Sequence, residues 1–274
     1  ARSPPRATPL RLMIAFGSPI RPAVRLASVA AALPPTERTS AEVEARIAAE
    51  SGGFRPRAGV LEAVSGVRAR RVAADDVQCS DLAVAAAREA LARAGLAPRD
   101  VGALVFASAS QDLFEPATAH VVQAKLGTRA PVMDVKNACN SFLNGLQVGE
   151  ALVETGQCDV ALVVTGEVPS RLVPWAVADA DDFRRRFAGF TMGDAGAAAV
   201  LARDDGPGAG GILHRRFAAH SDHWGLATIP CCGSMHVGHA APLLADGARL
   251  RDAFLLHGPP LLQRCYRGEQ QRPS

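Results

Sequence analysis

The chain has 274 residues, 48% of them hydrophobic but only 5% aromatic, and a formal net charge of +3. So slight a charge excludes a nucleic-acid binder that works through a clustered basic face. Six cysteines at irregular spacing exclude a disulfide scaffold and point to a reducing cytoplasm, and no apolar run approaches the roughly 20 residues of a membrane span.

Residues 1–22 carry Pro4, Pro5, Pro9, Pro19 and Pro22 among scattered arginines and are expected to be a disordered extension. The first strand is expected at 24–31, stopped by Leu33-Pro34-Pro35. Thr39 is placed to cap a helix that ends near Glu50, before Ser51-Gly52-Gly53. Residues 65–72 read as a turn into a basic strand or loop. The clearest helix spans 80–94 and is closed by Gly95. A buried strand follows at 101–107, a helix at 118–126 closed by Gly127, and a short apolar strand at 130–135. Phe142, Leu143, Leu146, Val148, Leu152 and Val153 then recur at helical spacing as far as Gly156. Further strands are expected at 159–165, 195–202 and 210–216. A last helix begins at Asp246, and its periodicity dissolves after Arg264, leaving 265–274 as an irregular tail. Helices alternating with apolar strands make a layered α/β fold.

Cys139 stands between the strand at 130–135 and the helix that follows, in Asn137-Ala138-Cys139-Asn140-Ser141-Phe142. A thiol in the first turn of a helix would meet unpaired backbone N–H groups and the positive end of the helix dipole, which favour thiolate. That is a setting for a sulfur nucleophile acting on a thioester. A buried, inert small side chain is the alternative on position alone.

Four blocks in order resemble the ketoacyl-acyl-carrier-protein synthase III family of the thiolase superfamily. They are Ser65-Gly66-Val67-Arg68-Ala69-Arg70-Arg71-Val72, the Ala-rich helix from Asp81 to Gly95, Asn137-Ala138-Cys139-Asn140-Ser141-Phe142, and the run from Met192-Gly193-Asp194 to Leu201. The resemblance implies a thiolase-like α-β-α-β-α fold. The N-terminal domain would occupy 23–205 and the start of a C-terminal domain 206–264. It implies that Cys139 accepts an acyl group from coenzyme A or acyl carrier protein, and that decarboxylative Claisen condensation follows, in a homodimer with no cofactor beyond these thioesters.

Within that family, Asp112-Leu113-Phe114-Glu115-Pro116-Ala117-Thr118-Ala119 is similar to enzymes that join two acyl chains head to head. There the matching glutamate crosses the dimer interface, so Glu115 is implied as a base for the alpha proton of a second thioester. Phe142, Phe114 and Arg68 are the candidate substrate-binding residues; Arg68, with Arg70 and Arg71, could steer a phosphate or an acidic carrier.

The match has gaps. Residues 59–64 lack the Trp and Arg that clasp coenzyme A in the family, and the family's His block and later Asn have no counterpart. The sequence is therefore expected to be cut short or frameshifted, with a non-catalytic remnant or dimer partner as the rival to an active enzyme. Cys231, Cys232, His236 and His239 fit no common zinc spacing, so no metal is expected. Arg184, Arg185 and Arg186 read as a solvated helix face.

Overall fold

The computed structural model describes residues 24–204, 211–212, 214–229 and 244–270. The expected extension at 1–22 and the Cys231/Cys232/His236/His239 cluster lie outside the described residues.

Strands β1 (Val24–Ala32) and β2 (Thr36–Thr39) lead into α1 (Ser40–Glu50). Thr39 caps α1 reciprocally: its Oγ1 accepts from the Glu42 N–H at 3.2 Å, and its own N–H donates to Glu42 Oε2 at 2.6 Å. Next come α2 (Val60–Ser65), β3 (Ala69–Val72), α3 (Cys79–Ala94), β4 (Ala103–Ala107), α4 (Thr118–Leu126) and β5 (Val132–Val135). The chain continues through α5 (Ser141–Glu154), β6 (Val160–Glu167), α6 (Ala180–Thr191) and β7 (Ala195–Arg203). Two-residue strands β8 (Ala227–Thr228) and β9 (Leu244–Ala245) precede α7 (Gly247–Gln270).

Five strands form the central sheet in the order β1-β7-β6-β4-β5. β4 runs parallel to both β5 and β6, whereas β7 is antiparallel to β6 and β1. Both faces are covered, so the inner strands read as continuous apolar runs and not as alternations. Leu104, Phe106, Leu162, Val164 and Val200 pack toward α3 and α4. Their neighbours Ala103, Val105, Ala107, Val163 and Leu201 pack toward α5. The described residues thus supply three layers, helix on sheet on helix.

Glycine sets how close the layers come. A Cβ at Gly166 of β6 would lie 1.8 Å from the Cys79 carbonyl oxygen, where α3 begins. On the opposite face, a Cβ at Gly145 of α5 would lie 2.4 Å from Ala107 Cβ, and one at Gly149 2.9 Å from Leu201 Cδ1. Each glycine removes a side chain where two backbones must approach.

A separate cluster of Val43, Ile47, Leu61, Phe183 and Phe190 joins α1, α2 and α6. The two-stranded antiparallel pair of β2 and β3 lies at its margin, held by Arg70. That side chain is buried and donates to Ser40 Oγ at 3.0 Å and to the Phe190 carbonyl at 3.1 Å.

Three expectations need correction. No strand forms in the described part of 210–216. β7 already has β1 on one side and β6 on the other, so the sheet offers a following strand no free edge there. The tail expected from 265 is helical through Gln270 as the end of α7, since adding residues to a formed helix is cheap. Arg184 and Arg185 are exposed, but Arg186 donates to the buried Asp182 at 2.7 Å and is not simply solvated.

Candidate active site

β4 and β5 are adjacent and parallel, so the segments that leave their carboxyl ends emerge on the same edge of the sheet. That edge is where open α/β sheets bind ligands. The segment after β5 carries Cys139; the segment after β4 carries Glu115.

Cys139 is exposed. It lies two residues before α5, whose N-cap is Asn140, and not in the first helical turn as the spacing of Phe142 and Leu143 suggested. The difference arises at Ala138, which takes the left-handed conformation with φ 47°. For a residue with a Cβ that conformation costs about 1 kcal/mol or more, and it turns the chain sharply so that Asn137 and Cys139 form an isolated bridge. The Asn140 N–H donates to the Asn137 carbonyl at 3.0 Å, and the Ser141 N–H to the Ala138 carbonyl at 3.1 Å. Buried Ser141 braces the turn: its Oγ accepts from the Asn137 N–H at 2.8 Å and donates to the Ala138 carbonyl at 2.7 Å.

The segment after β4 is anchored at both ends. Glu167, at the end of β6, accepts from Ser108 Oγ, the Ala109 and Ser110 N–H groups and Ser110 Oγ at 2.7–3.0 Å. Asp112 accepts from the Ser80 N–H at 3.1 Å and from Cys79 Sγ at 2.9 Å, fixing the loop to the start of α3. Asp134 of β5 accepts from the Thr118 and Ala119 N–H groups at 2.9 and 2.8 Å, which caps α4. Between these anchors the tip is bare. Leu113 is 53% and Phe114 74% exposed, and Glu115 is exposed beside them.

Of the substrate-binding candidates, Phe142 is half-buried against the sheet face under α5. Phe114 stands in the open on the tip. Arg68 is exposed and pairs with Glu62 at 3.0 Å, away from Arg70, whose guanidinium is committed to the fold. Sequence reasoning missed Glu167 and Asp134. Each is an acidic residue within an apolar strand, and that oddity was the available signal. Asp194 of the fourth block is structural: buried, it accepts from the Ala73 N–H at 2.8 Å and from Ser170 Oγ at 2.6 Å.

Glu150 of α5 is also buried. One carboxylate oxygen pairs with Arg215, and the other has no hydrogen-bond partner. Burial pushes its carboxyl above the usual carboxylate range, against the pull of Arg215. A folded-state value raised above the unfolded one means that protonation favours the fold. The contribution is complete below the unfolded value and is lost as pH rises through the folded one. Glu150→Gln should therefore flatten the decline of the melting temperature as pH is raised from about 4 to about 8. Identical pH slopes for wild type and variant would refute the assignment.

The His220 and His257 rings stack at 3.5 Å, with His223 5.6 Å from His257. Among the described residues no group of His, Cys, Asp or Glu is arranged to hold a metal, and no helix is long and apolar enough to cross a membrane.

A family model described as 3-oxoacyl-[acyl-carrier-protein (ACP)] synthase III matches residues 133–221. The acyl-CoA:acyl-CoA alkyltransferase of Xanthomonas campestris is 36% identical over 192 residues, covering 66% of this chain and 56% of that protein. The beta-ketoacyl-[acyl-carrier-protein] synthase III of Rhodospirillum rubrum is 37% identical over 202 residues, covering 72% of this chain and 58% of that protein. The chain thus spans a little over half the length of these curated relatives. Among solved structures, a cysteine-to-serine variant of Xanthomonas campestris OleA with bound lauric acid and lauroyl-CoA superposes with a TM-score of 0.74 at 31% identity, over 91% of this chain and 73% of that one. Variants of OleA changed at a glutamate and at a histidine superpose with TM-scores of 0.73.

Proposed function

Because this chain belongs to the 3-oxoacyl-[acyl-carrier-protein] synthase III family and has the thiolase fold, we propose that it is a condensing acyltransferase in which Cys139 takes an acyl group from coenzyme A or acyl carrier protein. The observation that carries this reading is an exposed cysteine on a strained, braced turn at the carboxyl edge of two parallel strands. The sulfur attacks the thioester carbonyl, the bond to the carrier sulfur breaks, and the carrier thiol leaves. Covalent capture divides one hard step into two easier ones.

In the second step a carbanion attacks the acyl-enzyme. The first reading is decarboxylation of a malonyl thioester, giving a β-ketoacyl product; the names of the Rhodospirillum relative and of the matching family model support it. The second reading is deprotonation of another acyl thioester by Glu115, giving head-to-head condensation. It is favoured by the rigidly rooted tip that presents Glu115, and by likeness to the alkyltransferase and to OleA. In that reading the bare Leu113 and Phe114 are covered by a second copy of the chain, in a cytoplasmic homodimer.

The test is to supply lauroyl-CoA alone, or with malonyl-CoA, and to analyse products by mass spectrometry. Chain extension that needs malonyl-CoA supports the first reading. A product from lauroyl-CoA alone, lost roughly 100-fold or more in Glu115→Ala, supports the second. Absence of any carbon–carbon product under both conditions would refute both.

A further inference from the structure

We propose that Asn144 is a positioning residue for the nucleophile. Its side-chain oxygen acts as a clasp that holds the Cys139 turn from both sides. This rests on Cys139 being the acyl acceptor. Asn144 Oδ1 accepts from Asn137 Nδ2 at 2.7 Å and from Asn140 Nδ2 at 3.1 Å, and those two residues bracket Ala138 and Cys139. Asn144 Nδ2 donates to Gln147 Oε1 at 3.3 Å, so the carboxamide is oriented with its oxygen toward the turn. The Asn144 N–H is bonded to the Asn140 carbonyl at 3.1 Å within the helix.

What makes this clasp rigid is the residue beside it. Gly145 lies so close to Ala107 and Val163 that α5 is seated on β4 and β6 at that point. Asn144 therefore refers the position of the sulfur to the core of the sheet. The turn needs such a hold, because Ala138 is left-handed without being glycine, and a relaxed backbone there would carry Cys139 with it. Ser141 secures the main chain of the turn from beneath. Asn144 secures it through side chains above.

Acyl transfer demands an attack line fixed to within about 1 Å, whereas alkylation by a small, mobile reagent does not. Two variants of nearly equal size separate the roles. Asn144→Asp keeps an acceptor for both amides; Asn144→Leu removes it. Acylation by lauroyl-CoA and alkylation by iodoacetamide at Cys139 are followed by intact mass, and thermal unfolding is recorded alongside. The leucine variant is expected to acylate roughly 10- to 100-fold more slowly, while its alkylation rate stays within about twofold and its melting temperature within about 2 °C. The aspartate variant should recover most of the acylation rate.

Wild-type acylation with no deficit in the leucine variant, or with equal deficits in both variants, overturns the clasp and leaves Cys139 as the acceptor. Equal losses in acylation and alkylation show a general structural role and also overturn it. If the wild type takes no acyl group at Cys139, the nucleophile reading fails and the clasp falls with it.

Discussion

Cys139→Ala should abolish the mass increase that lauroyl-CoA produces on the wild-type chain. Neither Cys79 nor Cys158 is placed to substitute. Cys79 is buried, and burial, together with its hydrogen bond to Asp112, pushes its thiol far above the usual range. Cys158 is half-buried, and burial with the neighbouring Asp159 raises its thiol as well. The nucleophile is the thiolate, so both are poor acceptors. Cys139, unlike these two, is exposed. Peptide mapping of the adduct decides the matter: an acyl group that survives in the alanine variant, on whichever residue, would end the assignment.

Gly166→Ala should cost about 3 kcal/mol or more, the upper range for overpacking, and lower the melting temperature by roughly 6–12 °C for a chain of this size. The added Cβ would lie 1.8 Å from the Cys79 carbonyl oxygen and 2.7 Å from its carbon. Both are backbone atoms, so no rotamer change relieves the clash and α3 must move as a body. The comparison is Gly189→Ala on α6, where an added Cβ meets nothing within 4 Å. There the same change should be neutral or stabilising by up to about 1 kcal/mol, since alanine is the better helix former. Equal melting temperatures for the two variants would show that α3 is not seated as tightly as its distances imply.

Elements that bury one stripe or run apolar on both faces were legible in the sequence: α1, α3, α4, α5 and the strands β1, β4, β6 and β7 fall where periodicity placed them, within a few residues. β2 was not legible. Thr36-Glu37-Arg38-Thr39 has no apolar alternation, and only its pairing with β3 makes it a strand. α2 hid for a related reason: at six residues it is too short to declare a period, and its ends are set by Gly59 and Gly66, both left-handed. The Cys139 block was legible, but its setting was not. The left-handed Ala138 and the Asn137–Asn144–Asn140 bonds depend on side-chain partners up to seven residues apart, which hydrophobic spacing does not encode. Arg70 and Asp194 sit in blocks that looked functional and turn out to hold the fold together.

Asp134 has a further consequence. It belongs to the strand that leads to Cys139, yet its carboxylate grips the first two residues of the helix that follows Glu115. The two segments therefore share one root. On the proposed reading, a shift of the strand that carries an acylated Cys139 would be felt at the helix that roots Glu115, so the two steps of the reaction would share one support.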